Sequence, residues 1–106
     1  MSINSDTIYV RTNSTLIIDT EALVALYNQA GGSNWTNKTG WLSSGLADNT
    51  WHGVTVENEN VVAVDLSDNN LVGVVPDSVL NISLMHTLNL SGNEVSAVPD
   101  FSDLPN

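Results

Sequence analysis

Asp65 and Asp68 are the carboxylate pair whose spacing could carry chemistry in this chain. Two carboxylates at a defined separation, one with a raised pKa, can hydrolyse glycosides. Carboxylate and amide oxygens, such as those of Asp65, Asp68 and Asn89, are also ligands that Ca²⁺ prefers. The two imidazoles, His52 and His86, are too few for a zinc site without carboxylate ligands. Hydrolysis and calcium binding are therefore the chemical hypotheses that these residue types raise.

Neither hypothesis finds the context that it needs. Raising a carboxylate pKa requires a concave, partly desolvated site, whereas the surrounding pattern predicts a shallow sheet face. The sequence has no EF-hand or nonapeptide calcium spacing, no Ser/His/Asp order and no phosphate-binding glycine loop. We therefore expect no enzyme activity, no metal site and no cofactor, and a calcium-dependent or hydrolytic domain is the less favoured alternative.

A repeat with a period of 24 residues predicts where these carboxylates lie in the fold. The stretch 61–71, Val-Val-Ala-Val-Asp-Leu-Ser-Asp-Asn-Asn-Leu, returns at 85–95 as Met-His-Thr-Leu-Asn-Leu-Ser-Gly-Asn-Glu-Val. Such a period is typical of strand-bearing repeats. Alternate strand positions share one side, so the apolar positions should stack inward as a column: Val61, Val64, Leu66, Met85, Leu88 and Leu90. The positions between them form the predicted ligand-binding face: Ala63, Asp65, Ser67, Asp68, Thr87, Asn89 and Ser91.

Asn69 and Asn93 occupy equivalent places in the two copies. In a repeat of this kind, a buried amide at the end of the strand bonds the main chain where it bends away, since unpaired buried backbone groups are costly. We therefore interpret both residues as structural rather than catalytic. A second apolar set should close the other side of each turn: Val75, Val79, Ile82, Val98, Phe101 and Leu104.

The segments before the repeats predict supporting elements. The β-branched runs 7–10 and 15–18 favour a β-hairpin, or two extended arms around a turn. Asp19 and Thr20 offer N-cap oxygens for an amphipathic helix that Gly31 and Gly32 would end. All three tryptophans lie in the irregular stretch 33–60, where we expect core packing rather than a ligand-stacking platform. Alternation in residues 53–57 predicts a strand paired with the first repeat strand.

The run 21–28 (Glu-Ala-Leu-Val-Ala-Leu-Tyr-Asn), followed by Gly-Gly-Ser-Asn-Trp-Thr-Asn, Gly-Trp-Leu and Trp-His-Gly-Val-Thr, resembles the N-terminal cap of leucine-rich-repeat proteins. Residues 71–76 are similar to the Leu-x-Gly-x-Ile-Pro segment of the plant-type subclass. Plant versions continue the Gly-Val-Thr strand into a disulfide-forming cysteine, where this chain has Val56 and contains no cysteine. The resemblance is therefore to a cysteine-free bacterial variant of the plant-type cap.

The resemblance implies an α/β fold, a leucine-rich-repeat solenoid with a helical N-terminal cap, short parallel strands on the concave face and an irregular convex side. It divides the chain into an N-terminal extension (1–18), the cap (19–60) and two repeats (61–84 and 85–106), the last one uncapped. The function that it implies is non-catalytic recognition or adhesion, with a protein or glycan bound on the concave strand face. The alternative is a structural scaffold, or a self-assembling fragment of a longer repeat protein that pairs through its uncapped edge as a homo-oligomer.

The net charge and the hydrophobicity of the sequence limit the kinds of partner and the location that we expect. Twelve acidic residues against two basic ones give the 106-residue chain a net charge of −10, which repels nucleic acid and anionic membrane surfaces. No stretch reaches the roughly 20 apolar residues of a membrane span, so we expect no membrane insertion. The resemblance implies an extracellular or cell-surface protein, although residues 1–6 lack the basic and apolar regions of a signal peptide.

Overall fold

Helix α1 (Ile3–Gln29) runs through a stretch that contains no glycine and no proline. The computed structural model describes the backbone of residues 3–99 and the side chains of residues 15–99. Leu16, Leu23 and Leu26 recur at helical spacing and are buried against the rest of the fold. The helix ends before Gly31, whose φ of 72° is a left-handed conformation that glycine adopts without strain.

The predicted β-hairpin of residues 1–18 is wrong over residues 3–18, because α1 continues through both β-branched runs. The predicted helix start at Asp19 and Thr20 is wrong for the same reason. A β-branched residue disfavours a helix by only about half a kcal/mol relative to alanine. No helix breaker separates the runs, and Leu16 gains burial only as part of a helix docked on the core. Tertiary packing therefore overrides the local β preference.

Within residues 3–99, five short strands follow α1 and form two sheets. In the first sheet, β1 (Val54–Glu57) pairs antiparallel with β2 (Asn60–Asp65), and β2 pairs parallel with β4 (Thr87–Asn89). The β1–β2 reversal is tight because Asn58 and Glu59 both take positive φ, 51° and 64°. The predicted pairing of residues 53–57 with the first repeat strand is thus confirmed.

The second sheet corrects the prediction of an irregular far side. There β3 (Val72–Val74) pairs parallel with β5 (Glu94–Ala97), with one register shift after Gly73. A 3-10 turn, Asp77–Asn81, follows β3 and packs against α1. In both repeats, therefore, the chain continues from a strand of the first sheet into a strand of the second sheet. The molecule combines helix and strand, and its two repeats are paired strand to strand.

Apolar side chains of the repeats form a column between the sheets and α1. Val61, Val64 and Leu66 are fully buried, as predicted, and Leu71, Val75, Val79 and Ile82 extend the same core. Their counterparts one repeat later, Met85, Leu88 and Leu90, are half-buried and pack on it. The interior prediction for Val98 is wrong, since 55% of that side chain is exposed. Phe101 and Leu104 lie outside the described residues.

Asp19 fastens α1 to the first sheet from inside the core. Its side chain is fully buried, and its Oδ2 accepts a hydrogen bond from the backbone N–H of Val61 at 3.0 Å. Its Oδ1 has no hydrogen-bond partner among the described residues. Burial raises the pKa of Asp19 above the ordinary value of 3.8, and the Val61 bond only partly opposes this.

We expect Asp19→Asn to gain stability relative to the wild-type protein as the pH rises. The carboxylate of Asp19 titrates at higher pH in the folded than in the unfolded chain, so its contribution is complete below the unfolded pKa. That contribution is lost as the pH rises through the folded pKa, whereas asparagine does not titrate. In urea unfolding between pH 3 and 7, the unfolding free energy of Asp19→Asn minus that of the wild type should increase toward pH 7.

Asp19→Ala is the matched control for that measurement. It removes the same charge but leaves the N–H of Val61 without an acceptor, so it should be less stable than Asp19→Asn at every pH. A difference between wild type and Asp19→Asn that does not change with pH would contradict the assignment.

Candidate functional site

The outward side of the first sheet, which we call the open face, carries the predicted binding residues. It comprises the outward side chains of β1, β2 and β4 and of the turns that follow β2 and β4. The parallel register sets Ala63 beside Thr87 and Asp65 beside Asn89. The N–H of Asp68 donates to the carbonyl of Ser91 at 2.8 Å, which aligns the two turns. The structure thus brings all seven predicted residues onto one surface.

Asp65 and Asn89 make the same hydrogen bonds in successive repeats. Asp65 Oδ1 accepts from the backbone N–H of Ser67 at 3.1 Å and from its hydroxyl at 2.8 Å. Asn89 Oδ1 accepts from the N–H and hydroxyl of Ser91 at the same two distances. Each side chain is held over the turn that follows it. The two strand ends therefore hold a carboxylate and an amide side chain in fixed positions on the open face.

Asp65 is held in its ionised form. The N–H of Ser67, then the Ser67 hydroxyl, lower the pKa of Asp65, and the positive charge of His52 when protonated adds to this. A general acid in glycoside hydrolysis needs the opposite shift. Within residues 15–99, no three Asp, Glu or His side chains converge as metal ligands. The arrangement can accept hydrogen bonds and attract cations.

Asp68 lies over the second repeat rather than projecting freely. A Cβ at Gly92 would stand 1.8 Å from Asp68 Oδ1, so the carboxylate occupies the space that the missing side chain leaves. Asp68 itself has a φ of 52°, a left-handed conformation that aspartate tolerates better than most residues. Its carboxylate is exposed and remains available to a partner.

The first sheet adds residues beyond the two repeats. Thr55 pairs with Ala63, so β1 extends the row of polar side chains by one strand, whereas Glu57 pairs with Asn60 at the far end. His52 is half-buried beside this row and close enough to lower the pKa of Asp65. The sequence raises His52 only as an imidazole without enough partners for zinc, and its place beside Asp65 was not predicted. The tight turn at residues 58–59 is the sequence feature that could have indicated this position, because it sets Gly53, the residue after His52, opposite Asp65.

Asn69 and Asn93 are structural, as predicted. Asn69 Oδ1 accepts from the N–H of Asn37 at 2.7 Å, and its Nδ2 donates to the Asn37 carbonyl at 2.9 Å. Asn93 Oδ1 accepts from the N–H groups of Asn69 and Leu71, both at 2.9 Å, and its Nδ2 donates to the Leu66 carbonyl at 2.8 Å. Each side chain therefore bonds the main chain of the preceding layer of the fold, where the chain bends: Asn69 at residue 37, and Asn93 at residues 66–71.

The three tryptophans pack in the core, which confirms the structural interpretation. Trp35, Trp41 and Trp51 are 3%, 7% and 1% exposed. The Trp35 and Trp41 rings meet edge to face with centroids 4.9 Å apart, and each indole N–H has a hydrogen-bond acceptor. None of these rings lies on the open face.

Two copies of a strand-and-turn unit lie side by side and are joined by hydrogen bonds of Asn93, in a fold of mixed helix and strand. A stretch of 77 residues, 71% of this chain, is 38% identical to a probable leucine-rich repeat receptor-like protein kinase of Arabidopsis thaliana. The chain spans 8% of the length of that relative. No protein-family model matches the chain. The identity indicates that the chain contains a leucine-rich-repeat-related region.

Helix α1 is long enough to raise the question of a membrane span. In the part of the chain that the structure describes, no helix combines the length and the apolar character that crossing a bilayer requires.

Proposed function

We propose that this chain is a non-catalytic recognition module that binds a protein or glycan through the open face. The repeated placement of Asp65 and Asn89 is the observation that carries the proposal. Both side chains are already fixed by hydrogen bonds to the next turn, so binding need not immobilise them. A surface whose groups are held in place before contact loses less conformational freedom when a partner binds.

The chemistry of the face defines the partner. Its acceptors are the carboxylates of Asp65 and Asp68, and the amide of Asn89, whose oxygen is already bonded to Ser91, offers its Nδ2 as a donor. The chain as a whole carries a net charge of −10. A partner that offers lysine, arginine or several hydroxyl donors complements such a surface. The name of the Arabidopsis relative, a receptor-like kinase, is consistent with recognition.

The wider setting that we propose is an extracellular or cell-surface leucine-rich-repeat solenoid, with the open face as its concave side and residues 19–60 as its N-terminal cap. The related region, the 24-residue register and the main-chain bonds of Asn69 and Asn93 support this setting. A solenoid adds strands to one continuous sheet, so further repeats would widen the same polar row.

The proposal is tested with full-length chain immobilised on a surface and screened against a glycan array and a displayed peptide library. Hits should bind Asp65→Ala at least about tenfold more weakly, because the variant loses a fixed charged acceptor. Asp77→Ala is the matched control, since Asp77 is an exposed carboxylate at the 3-10 turn away from the open face. Hits that are indifferent to Asp65, Asp68 and Asn89 substitutions would refute the proposal.

A structural or assembly role is the second candidate. In the described part of the chain, β4 is paired on one side only, and Met85, Leu88 and Leu90 beneath it are half-buried. An unpaired strand above partly exposed apolar groups favours pairing with another strand. Light scattering of the free chain across a range of concentrations separates this role from the first, because only assembly raises the mass with concentration.

A further inference from the structure

A groove lies between α1 and the 3-10 turn Asp77–Asn81 and shares no residue with the open face. Its volume is about 580 Å³, in the range of clefts that bind ligands. Ile18, Ala22 and Ala25 of α1 form one wall at a spacing that places them on one side of the helix. The remaining lining residues are Glu21, Ser78, Leu80, Asn81 and Ser83.

The apolar lining of the groove continues onto the exposed surface. Ile18 is 48% exposed, although it lines the groove, and Leu84, which follows the lining residue Ser83, is 56% exposed. Ala22 and Ala25, whose side chains are small, line the groove together with Ile18 and Leu80. An apolar side chain of a partner would remove this surface from water.

Ser78 supplies an unused polar group in the wall of the groove. Its Oγ is buried, with less than 1 Å² accessible, and has no hydrogen-bond partner in the described part of the chain. A buried hydroxyl without a partner is uncommon, because the group has lost its bonds to water. No hydrogen bond holds its present rotamer, so rotation about χ1 toward a ligand breaks none. Ser78 is therefore available to donate to a carbonyl or to accept from an N–H.

Charge selects among occupants. Glu21 is an exposed carboxylate on the groove wall, and the whole chain has 12 acidic residues against two basic ones. Lys38 donates to the Ser33 carbonyl, outside the groove. A second copy of this chain would bring another net charge of −10, which opposes association. A cationic partner is favoured instead.

We infer that this groove binds a short segment of a partner protein that presents an apolar side chain next to a lysine or arginine. The apolar side chain lies between Ile18 and Leu80, the cation lies at Glu21, and a backbone group of the segment bonds the Ser78 hydroxyl. The segment thereby gives the buried Ser78 hydroxyl a hydrogen-bond partner and covers exposed apolar surface in a single contact.

The test is an NMR titration of full-length ¹⁵N-labelled chain with the peptide acetyl-Gly-Ser-Leu-Lys-Ser-Gly-amide. Saturable amide shifts should be confined to residues 18–25 and 78–84. Matched peptides with serine in place of leucine, or glutamate in place of lysine, should bind more weakly. Glu21→Lys should weaken binding about threefold, as for a surface ion pair. Glu57→Lys, an equal charge reversal on an exposed strand position, should leave it unchanged.

Ser78→Ala separates a binding role from a structural one. The variant should weaken the peptide about fivefold, the loss expected for one hydrogen bond. Its melting temperature should not fall, since the hydroxyl has no partner to lose. Ser44→Ala is the contrast, because Ser44 Oγ donates to the Leu46 carbonyl and accepts from the Trp51 indole, so that variant should melt lower.

Three results would overturn the inference. The first is the absence of a saturable shift up to about 5 mM peptide, the weak limit at which a small apolar and ionic contact still registers. The second is a set of shifts on the open face or shifts insensitive to the leucine and lysine changes. The third is a set of groove shifts that grow with protein concentration alone, which would identify a second copy as the occupant.

Discussion

Asn69→Ala is expected to lower the free energy of unfolding by about 2–4 kcal/mol, the range for breaking a buried hydrogen-bond network. The substitution removes both bonds to the main chain of Asn37 and leaves the N–H and carbonyl of that residue to find other partners. Asn69 is 2% exposed, so water has little access to the gap. Chemical denaturation followed by tryptophan fluorescence measures the loss, because the three tryptophans lie in the same region of the fold.

Asn28→Ala is the control for Asn69→Ala. Asn28 is exposed near the end of α1, and alanine is a better helix former, so this variant should stay within about 0.5 kcal/mol of wild type. If Asn69→Ala were as mild as Asn28→Ala, the amide would not be holding the bend.

Gly53→Ala is expected to have the other large effect, a loss of at least about 3 kcal/mol or failure to form β1. The new Cβ would stand 2.1 Å from the backbone carbonyl oxygen of Asp65 and 3.0 Å from its carbon. Those atoms belong to β2 and cannot move without disturbing the first sheet. The φ of 82° adds about 1–2 kcal/mol for a residue with a side chain. Amide hydrogen exchange should show β1 and β2 losing protection first.

Gly45→Ala isolates the geometric cause. A Cβ at Gly45 meets nothing within 4 Å, and the residue does not have a positive φ. Alanine there should be neutral or slightly stabilising, since it restricts the unfolded chain. Equal losses for both glycine variants would mean that the Asp65 carbonyl is not the obstacle.

The sequence was most informative where a local pattern repeats. Val64 and Leu88, like Asp65 and Asn89, are 24 residues apart, and parallel pairing converts that separation directly into neighbourhood. Alternation along the strand then decides which side chains face inward. For this reason the column, the open face and the roles of Asn69 and Asn93 could all be predicted before the structure was known.

The sequence misled where long-range packing decides. The β-branched residues of 7–18 favour strands locally. They nevertheless belong to α1, because the later part of the same helix docks on the core through Leu23 and Leu26, which are fully buried. His52 approaches Asp65 only because two strands reverse direction, and the groove beside Ser78 exists only where α1 crosses a turn some 50 residues later in the chain. Neither arrangement leaves a periodic signal in the sequence.

The hydrogen bonds of Asn69 and Asn93 give the stack a direction. Asn69 reaches back to the layer of Asn37, and Asn93 reaches back to the layer of Asn69. The bends at Asn37 and Asn69 are therefore each bonded by an asparagine of the layer that comes after them, and Asn93 also bonds the Leu90 carbonyl of its own bend. Loss of the layer that contains Asn93 would remove the bonds that this residue makes to the bend at Asn69. The layer of Asn69 would then be the next to detach, so unfolding that begins at the Asn93 end should proceed stepwise toward α1. Each layer of the stack thus depends for its stability on the layer that follows it in the sequence.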